Sequence, residues 1–148
     1  ALAGVMLRDP LVRQAIRTCD ALVPMPLHPL RLAERGYNQS LLLAQALRRC
    51  TDREEKLDRH QAVVRHDWLL RISNTQAQSR LSLAQRLRNI RQAFAVAANQ
   101  SSQLHGKRVV LVDDVMTSGA SAQAAAQTLR TAGVHQLRVV VFARTEKP

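Results

Sequence analysis

The chain has 148 residues, 46% of them hydrophobic and 22% charged, the size and composition of one globular domain with its own core, which excludes a disordered or a two-domain chain. Lys plus Arg number 22 against 11 Asp plus Glu, a formal net charge of +11, and that balance points to an anionic partner: a nucleotide, a phosphate ester, a nucleic acid or an acidic surface. No apolar run approaches the roughly 20 residues of a membrane-spanning helix, and the opening residues lack a positive region followed by a sustained apolar stretch, so a cytoplasmic location is expected.

Asp9 before Pro10 caps a helix whose Leu11, Val12, Ala15 and Ile16 form an apolar face for packing against a sheet. Cys19 and Cys50 are the only cysteines and form no Cys-x-x-Cys pair, so neither a disulfide framework nor a zinc site is expected. Residues 21 to 25 are a short apolar run that ends among Pro24 and Pro26, a buried strand stopping at a loop. The loop, Leu27 to Gln39, carries His28, Arg31, Glu34, Arg35, Gly36, Tyr37 and Asn38, and a helix rich in Leu and Ala follows from Ser40.

Residues 51 to 61 are polar and belong on the surface. A strand is expected at Ala62 to Val64 or at Trp68 to Leu70, the pattern leaving the choice open. Ser73 to Arg80 shows no apolar periodicity and reads as a loop. Ser82 with Gln85 forms a capping box for a helix in which Leu83, Leu87 and Ile90 share a face, and Phe94 to Ala97 reads as another strand.

The last third is a strand over Arg108 to Val112, a polar turn from Asp113 to Ser121, an Ala-rich helix to about Ala132 ended by Gly133, and a strand over Leu137 to Phe142. Continuous apolar strands separated by helices predict an α/β fold, a parallel sheet flanked by helices on both faces.

In such a sheet ligands gather beyond the carboxyl ends of the strands, where Asp113 to Ser121 must lie. Thr117, Ser118, Gly119, Ala120 and Ser121 would turn successive N–H groups toward one point at a helix start, an anion cradle that fits a phosphate monoester. Gly119 would admit a close backbone approach. Asp113 and Asp114 are suited to vicinal sugar hydroxyls or to a magnesium ion, held directly or through water. The spacing fits one ligand, a sugar with its 5-phosphate on the turn and its hydroxyls at the acids.

Residues 109 to 121, VVLVDDVMTSGAS, resemble the ribose-phosphate signature of type I phosphoribosyltransferases. The rest is similar to their ComF/GntX branch, through VPMPLHPLRLAERGYNQS at 23 to 40, through Thr75, Gln78, Arg86 and Asn89, and through VVVFART at the end. The resemblance implies one phosphoribosyltransferase-like domain over residues 1–148 with a lid or hood at about 65–97. It also implies phosphoribosyl pyrophosphate with magnesium as ligand, and release of pyrophosphate through an oxocarbenium-like ribose to an unidentified acceptor. On that reading Asp113 and Asp114 hold ribose and metal. The stretch with Leu27, Arg31, Arg35, Gly36, Tyr37 and Asn38 receives the pyrophosphate, and Arg86 brings charge from a mobile lid or pairs with an acid in the hood to hold that lid, while Arg88 and Arg91 read either as further charge on the diphosphate or as solvated helix arginines. His28 reads as a loop residue. Members of the family commonly carry a cysteine-rich, zinc-binding segment upstream, and this sequence begins after where it would sit.

A non-enzymatic reading stands beside the first. Resemblance to the ComF branch implies a role in DNA uptake during natural competence, and to the GntX branch one in gluconate use. The excess of arginine would suit a nucleic acid held by its phosphates. Aromatic residues are only 3%, too few for a stacking platform on single strands.

Overall fold

The computed structural model describes residues 2–54, 62–73 and 82–145. Along the chain come α1 (Leu2–Met6), α2 (Pro10–Thr18), β1 (Ala21–Pro24), α3 (Pro29–Arg35), α4 (Gln39–Glu54), β2 (Val63–Val64), β3 (Leu69–Arg71), α5 (Leu83–Arg91), β4 (Phe94–Val96), α6 (Ser101–Leu104), β5 (Arg108–Met116), α7 (Ala120–Thr131) and β6 (Gln136–Arg144). The main sheet is parallel throughout in the order β2-β1-β5-β6, and β3 pairs antiparallel with β4 in a separate small sheet.

Helices on both faces explain why β1 and the first half of β5 are unbroken apolar runs: alternate side chains enter two different cores. Ala21, Val23, Val109 and Leu111 pack with Leu104, Leu129, Trp68 and Phe94 on the side of α7 and the small sheet. Leu22, Val110 and Val112 pack with Ile16, Leu43 and Leu47 on the side of α2 and α4. Leu22, Leu47, Leu111 and Leu129 are fully buried, each contributing about 1.5–3 kcal/mol of hydrophobic transfer free energy.

Several expectations are met closely. Asp9 accepts a hydrogen bond from the Leu11 amide and Pro10 opens α2, and the Ser82–Gln85 capping box is complete in both directions. Others need correction. Leu11 is 73% exposed, so only Val12, Ala15 and Ile16 face the core. Both segments offered as alternatives for one strand are strands, in different sheets. The Leu27–Gln39 loop contains a helix, α3, started by Pro29, with His28 Nδ1 accepting from the Leu30 amide at 3.2 Å and Gly36 ending it. His28 is therefore a helix cap. In α5 only Ile90 reaches the core, while Leu83 and Leu87 are exposed. The strand expected to end at Val112 runs on to Met116, carrying both acids of the motif within it. Residues 74–80, with Thr75 and Gln78, lie outside the described residues.

Asp20 joins the amino ends of β1 and β5. Its Oδ2 accepts from the Arg108 amide at 2.7 Å and from Arg108 Nε at 3.2 Å, and its Oδ1 accepts from Nη2 at 3.1 Å. The Arg108 side-chain hydrogen bond is the main cause that holds the Asp20 carboxyl below its ordinary 3.8. A lowered carboxyl value stabilises the fold above the unfolded-state value, and the contribution disappears as pH falls through the folded-state value. Asp20→Asn is therefore expected to lower the melting temperature by about 2–4 °C at pH 7, a gap that closes in melts run below the ordinary aspartate range.

Gly133 leaves α7 with φ +101, and a Cβ there would run into the His105 ring. Left-handed backbone costs an alanine about 1–2 kcal/mol, and displacing the ring adds to it. Gly133→Ala is expected to lose about 2 kcal/mol in urea unfolding, part of it recovered by adding His105→Ala.

Candidate functional site

A cavity of about 580 Å³ opens where the carboxyl ends of β1 and β5 meet α3, α7 and the small sheet, within the range of small-molecule sites. Strand lengths create it. β1 stops at Pro24, opposite Val112, whereas β6 accompanies β5 as far as Met116. Asp113 and Asp114 thus sit on a strand supported along one side and open to the cavity on the other.

Asp113 is 9% exposed. Its Oδ1 accepts from Ser40 Oγ at 3.3 Å and from the Asp114 amide at 2.9 Å. Burial, and next the adjoining Asp114 carboxyl, push the Asp113 carboxyl up to about 6. Such a pair of acids attracts hydroxyl donors or a cation.

The turn after β5 supplies the opposite charge. Gly119, with φ +81, is the N-cap of α7 and brings no side chain to its amides; Ser118 Oγ accepts from the first of them, that of Ala120, at 3.3 Å. Gly119 to Ala122 line the cavity, so the positive end of a 12-residue helix faces it. A Cβ at Gly119 would meet only Met116 Sδ, at an ordinary 3.5 Å. The backbone angle, rather than crowding, is what asks for glycine here.

Cations complete the wall. Arg31 and Arg35, a turn apart on α3, line the cavity together with Leu27 and Asn38. Arg71, at the end of β3, lines it too, its guanidinium over the Phe94 ring at 5.4 Å. Burial, and then the nearby Arg31 charge, hold the Arg71 guanidinium below its ordinary value. Two cations near one another in a half-closed cleft form a receptor for a multiply charged anion.

Arg71 and Ser40 are the residues that reading the sequence missed. Arg71 had no signal beyond an arginine ending a short strand. Ser40 follows the Arg-Gly-Tyr-Asn-Gln block, but its hydroxyl gains meaning only from Asp113, 73 residues away. Asn38 reaches the cavity, although its described bonds run into the protein: Nδ2 donates to the Met25 carbonyl at 3.1 Å, and Oδ1 accepts from the Ser40 and Leu41 amides. Gly36 and Tyr37 stand outside the lining, Tyr37 half exposed. Arg86 is exposed on α5 and also outside it, whereas Ile90 of the same helix is inside. Arg91 borders a separate groove against α7.

The family model of the phosphoribosyl transferase domain matches residues 43–148, which include β5, the turn and α7. The chain belongs to that family. This phosphoribosyl transferase domain is 33% identical over 143 residues to competence protein F of Haemophilus influenzae, covering 97% of the chain and 58% of that protein. It is 33% identical over 129 residues to DNA utilization protein YhgH of Escherichia coli, covering 85% of the chain and 50% of the relative. The chain thus spans about half the length of these curated relatives, 58% of one and 50% of the other. Among solved structures, glutamine phosphoribosylpyrophosphate amidotransferase from B. subtilis superposes with a TM-score of 0.55 at 18% identity, over 95% of this chain and 25% of that one. Purine phosphoribosyltransferase from Pyrococcus horikoshii superposes with a TM-score of 0.52 at 12% identity, over 97% and 70%. The α/β architecture is that of the type I phosphoribosyltransferases.

The domain's acids suit a magnesium ion of a particular kind. Among the described residues there is no group of three or more His, Cys, Asp or Glu side chains that would cage a metal. Two adjoining carboxylates in a cavity that also receives the amino end of a helix could hold magnesium, an ion that keeps waters and takes further oxygens from other ligands. Also among the described residues, no helix is long and apolar enough to cross a membrane.

Proposed function

We propose that this domain binds phosphoribosyl pyrophosphate and transfers its phosphoribosyl group to an acceptor, with release of pyrophosphate. The observation that carries the reading is the convergence of the acid pair, the glycine-led start of α7 and three arginines on one cavity. In this reading the 5-phosphate docks on the amides from Gly119 to Ala122, and Asp113 and Asp114 accept hydrogen bonds from the ribose hydroxyls. Arg31, Arg35 and Arg71 receive the pyrophosphate, and the small sheet with α5 forms the hood above it.

Breaking the bond from C1 to the pyrophosphate oxygen leaves positive charge on the ribose and adds negative charge to the departing group. The carboxylates favour the first and the arginines the second. Fixed charges aimed at a developing charge are worth about 10²–10³ in rate per donor at such sites. Bound magnesium would add neutralisation of the pyrophosphate oxygens, with Asp113 and Asp114 as its protein-side partners. The acceptor attacks C1 from the opened face, and Ile90 and Val115 give that part of the cavity an apolar wall.

Titration calorimetry tests the donor half. Binding of phosphoribosyl pyrophosphate that needs magnesium and weakens about tenfold or more in Arg71→Ala is the expected result; no heat with or without the metal would end the proposal.

A second reading, a DNA-handling protein, is favoured by the net charge of +11 and by relatives named for competence and DNA utilization. Arg86 and Arg88 on the exposed face of α5 would supply phosphate contacts. Gel shifts across a salt series discriminate: phosphate-driven binding falls steeply with salt, and indifference to DNA at low salt removes this reading.

A further inference from the structure

The donor-site proposal leaves a buried hydroxyl unused, and the following rests on that proposal. Ser40 is only 4% exposed and lies in the first turn of α4, where a serine has no need to be buried against a carboxylate. Its Oγ donates to Asp113 Oδ1 across 73 residues of sequence. The Asp114 amide donates to that same oxygen. Two donors converging on Oδ1 fix the plane of the carboxylate, and the other oxygen is then the one available to a ligand.

Ser40 is itself placed by Asn38. The Asn38 side chain anchors to the Met25 carbonyl just beyond β1 and caps the opening of α4 through the Ser40 and Leu41 amides. This chain of bonds ties the end of β1 and the start of α4 to the acid on β5. We infer that Ser40 is a positioning residue that presents the Asp113 carboxylate to the ribose side of the donor, and that Asn38 serves the site by holding Ser40 rather than by binding pyrophosphate. Ser40 touches no reacting atom on this account and acts through Asp113.

Two measurements decide it. The first needs no ligand: urea unfolding of wild type, Ser40→Ala, Asp113→Ala and the double variant. A coupling of fivefold or more between the two substitutions in the unfolding constant is expected, and additivity within twofold overturns the inference. The second is calorimetry with phosphoribosyl pyrophosphate and magnesium. Ser40→Ala is expected to weaken binding five- to tenfold and Ser40→Thr, which keeps the hydroxyl, to restore it to within twofold of wild type. Folded Ser40→Ala with unchanged affinity overturns the inference, as does loss of affinity in Ser40→Thr equal to that in Ser40→Ala when both melt like wild type. Should wild type bind no phosphoribosyl pyrophosphate, the donor-site proposal falls, and the unfolding cycle alone decides whether Ser40 positions Asp113. Asn38→Asp, which keeps the oxygen that caps α4 but loses the donor to Met25, separates capping from anchoring; affinity reduced as in Ser40→Ala supports the relay, and unchanged affinity removes Asn38 from it.

Discussion

Asp113→Asn is expected to abolish usable affinity for phosphoribosyl pyrophosphate, a loss of about 100-fold or more, while making the metal-free protein more stable at pH 7. Both effects follow from a carboxylate that the fold holds at a cost. Asp113 is nearly buried and shares its surroundings with Asp114, and its carboxyl is pushed up to about 6 from an ordinary 3.8. The sign of the linkage is fixed by that direction: the folded state keeps a proton that the unfolded state has already released, so stability declines as pH climbs from 3.8 toward 6. The full shift corresponds to about 3 kcal/mol. Relaxation of the site leaves a smaller gain for the neutral amide, on the order of 1–2 kcal/mol. Asparagine still accepts from Ser40 and from the Asp114 amide, so the local geometry survives. Its amide group cannot accept from sugar hydroxyls on the cavity side, nor attract a cation. Unfolding in EDTA at pH 7 and pH 4 checks the stability half: the variant should lead at pH 7 and lose its lead at pH 4. A variant less stable than wild type at pH 7 would show that the acid is a structural partner and not a strained ligand group.

Much of this architecture could be read directly from residue order, and the reasons are local. The run from Arg108 to Ser121 announces itself because a strand buried on both faces must be apolar without interruption, and because two acids directly after such a strand call for partners or a ligand. Gly133 and the Ser82–Gln85 box mark helix ends by chemistry that needs no distant partner. The failures are non-local. α3 went unread because its helix buries no residue, so it carries no apolar stripe. From sequence β5 reads as ending at Val112 because Asp113 and Asp114 break the apolar run, yet β6 continues to pair beyond them. Arg71 and Ser40 belong to the site only through folding: one arrives from the small sheet, the other from the first turn of α4. Arg86 shows the converse. It matches a family position, yet its side chain lies on the exposed face of α5, outside the cavity lining.

Gly119→Ala should separate the two ends of the proposed donor. With φ +81 and only Met116 Sδ within van der Waals contact of a new Cβ, the variant has room for the methyl group but not the backbone freedom to remain in the left-handed region cheaply. It either pays about 1–2 kcal/mol to keep the turn or lets the turn relax. Where the turn relaxes, the amides of α7 lose their preset aim at the cavity, and restoring it on binding lowers phosphate affinity at that terminus by about tenfold. Ribose 5-phosphate and inorganic pyrophosphate probe the ends separately by calorimetry. Gly119→Ala should weaken ribose 5-phosphate and leave pyrophosphate within twofold of wild type, since Arg31, Arg35 and Arg71 lie on other elements. Arg71→Ala should do the reverse. Gly119→Asn, a residue that tolerates the left-handed region better than alanine, should recover part of the ribose 5-phosphate affinity. If Gly119→Ala weakened both ligands alike, the cavity would be one undivided basic patch without a phosphate end and a pyrophosphate end, and the orientation of the sugar drawn from the acid pair would have no support.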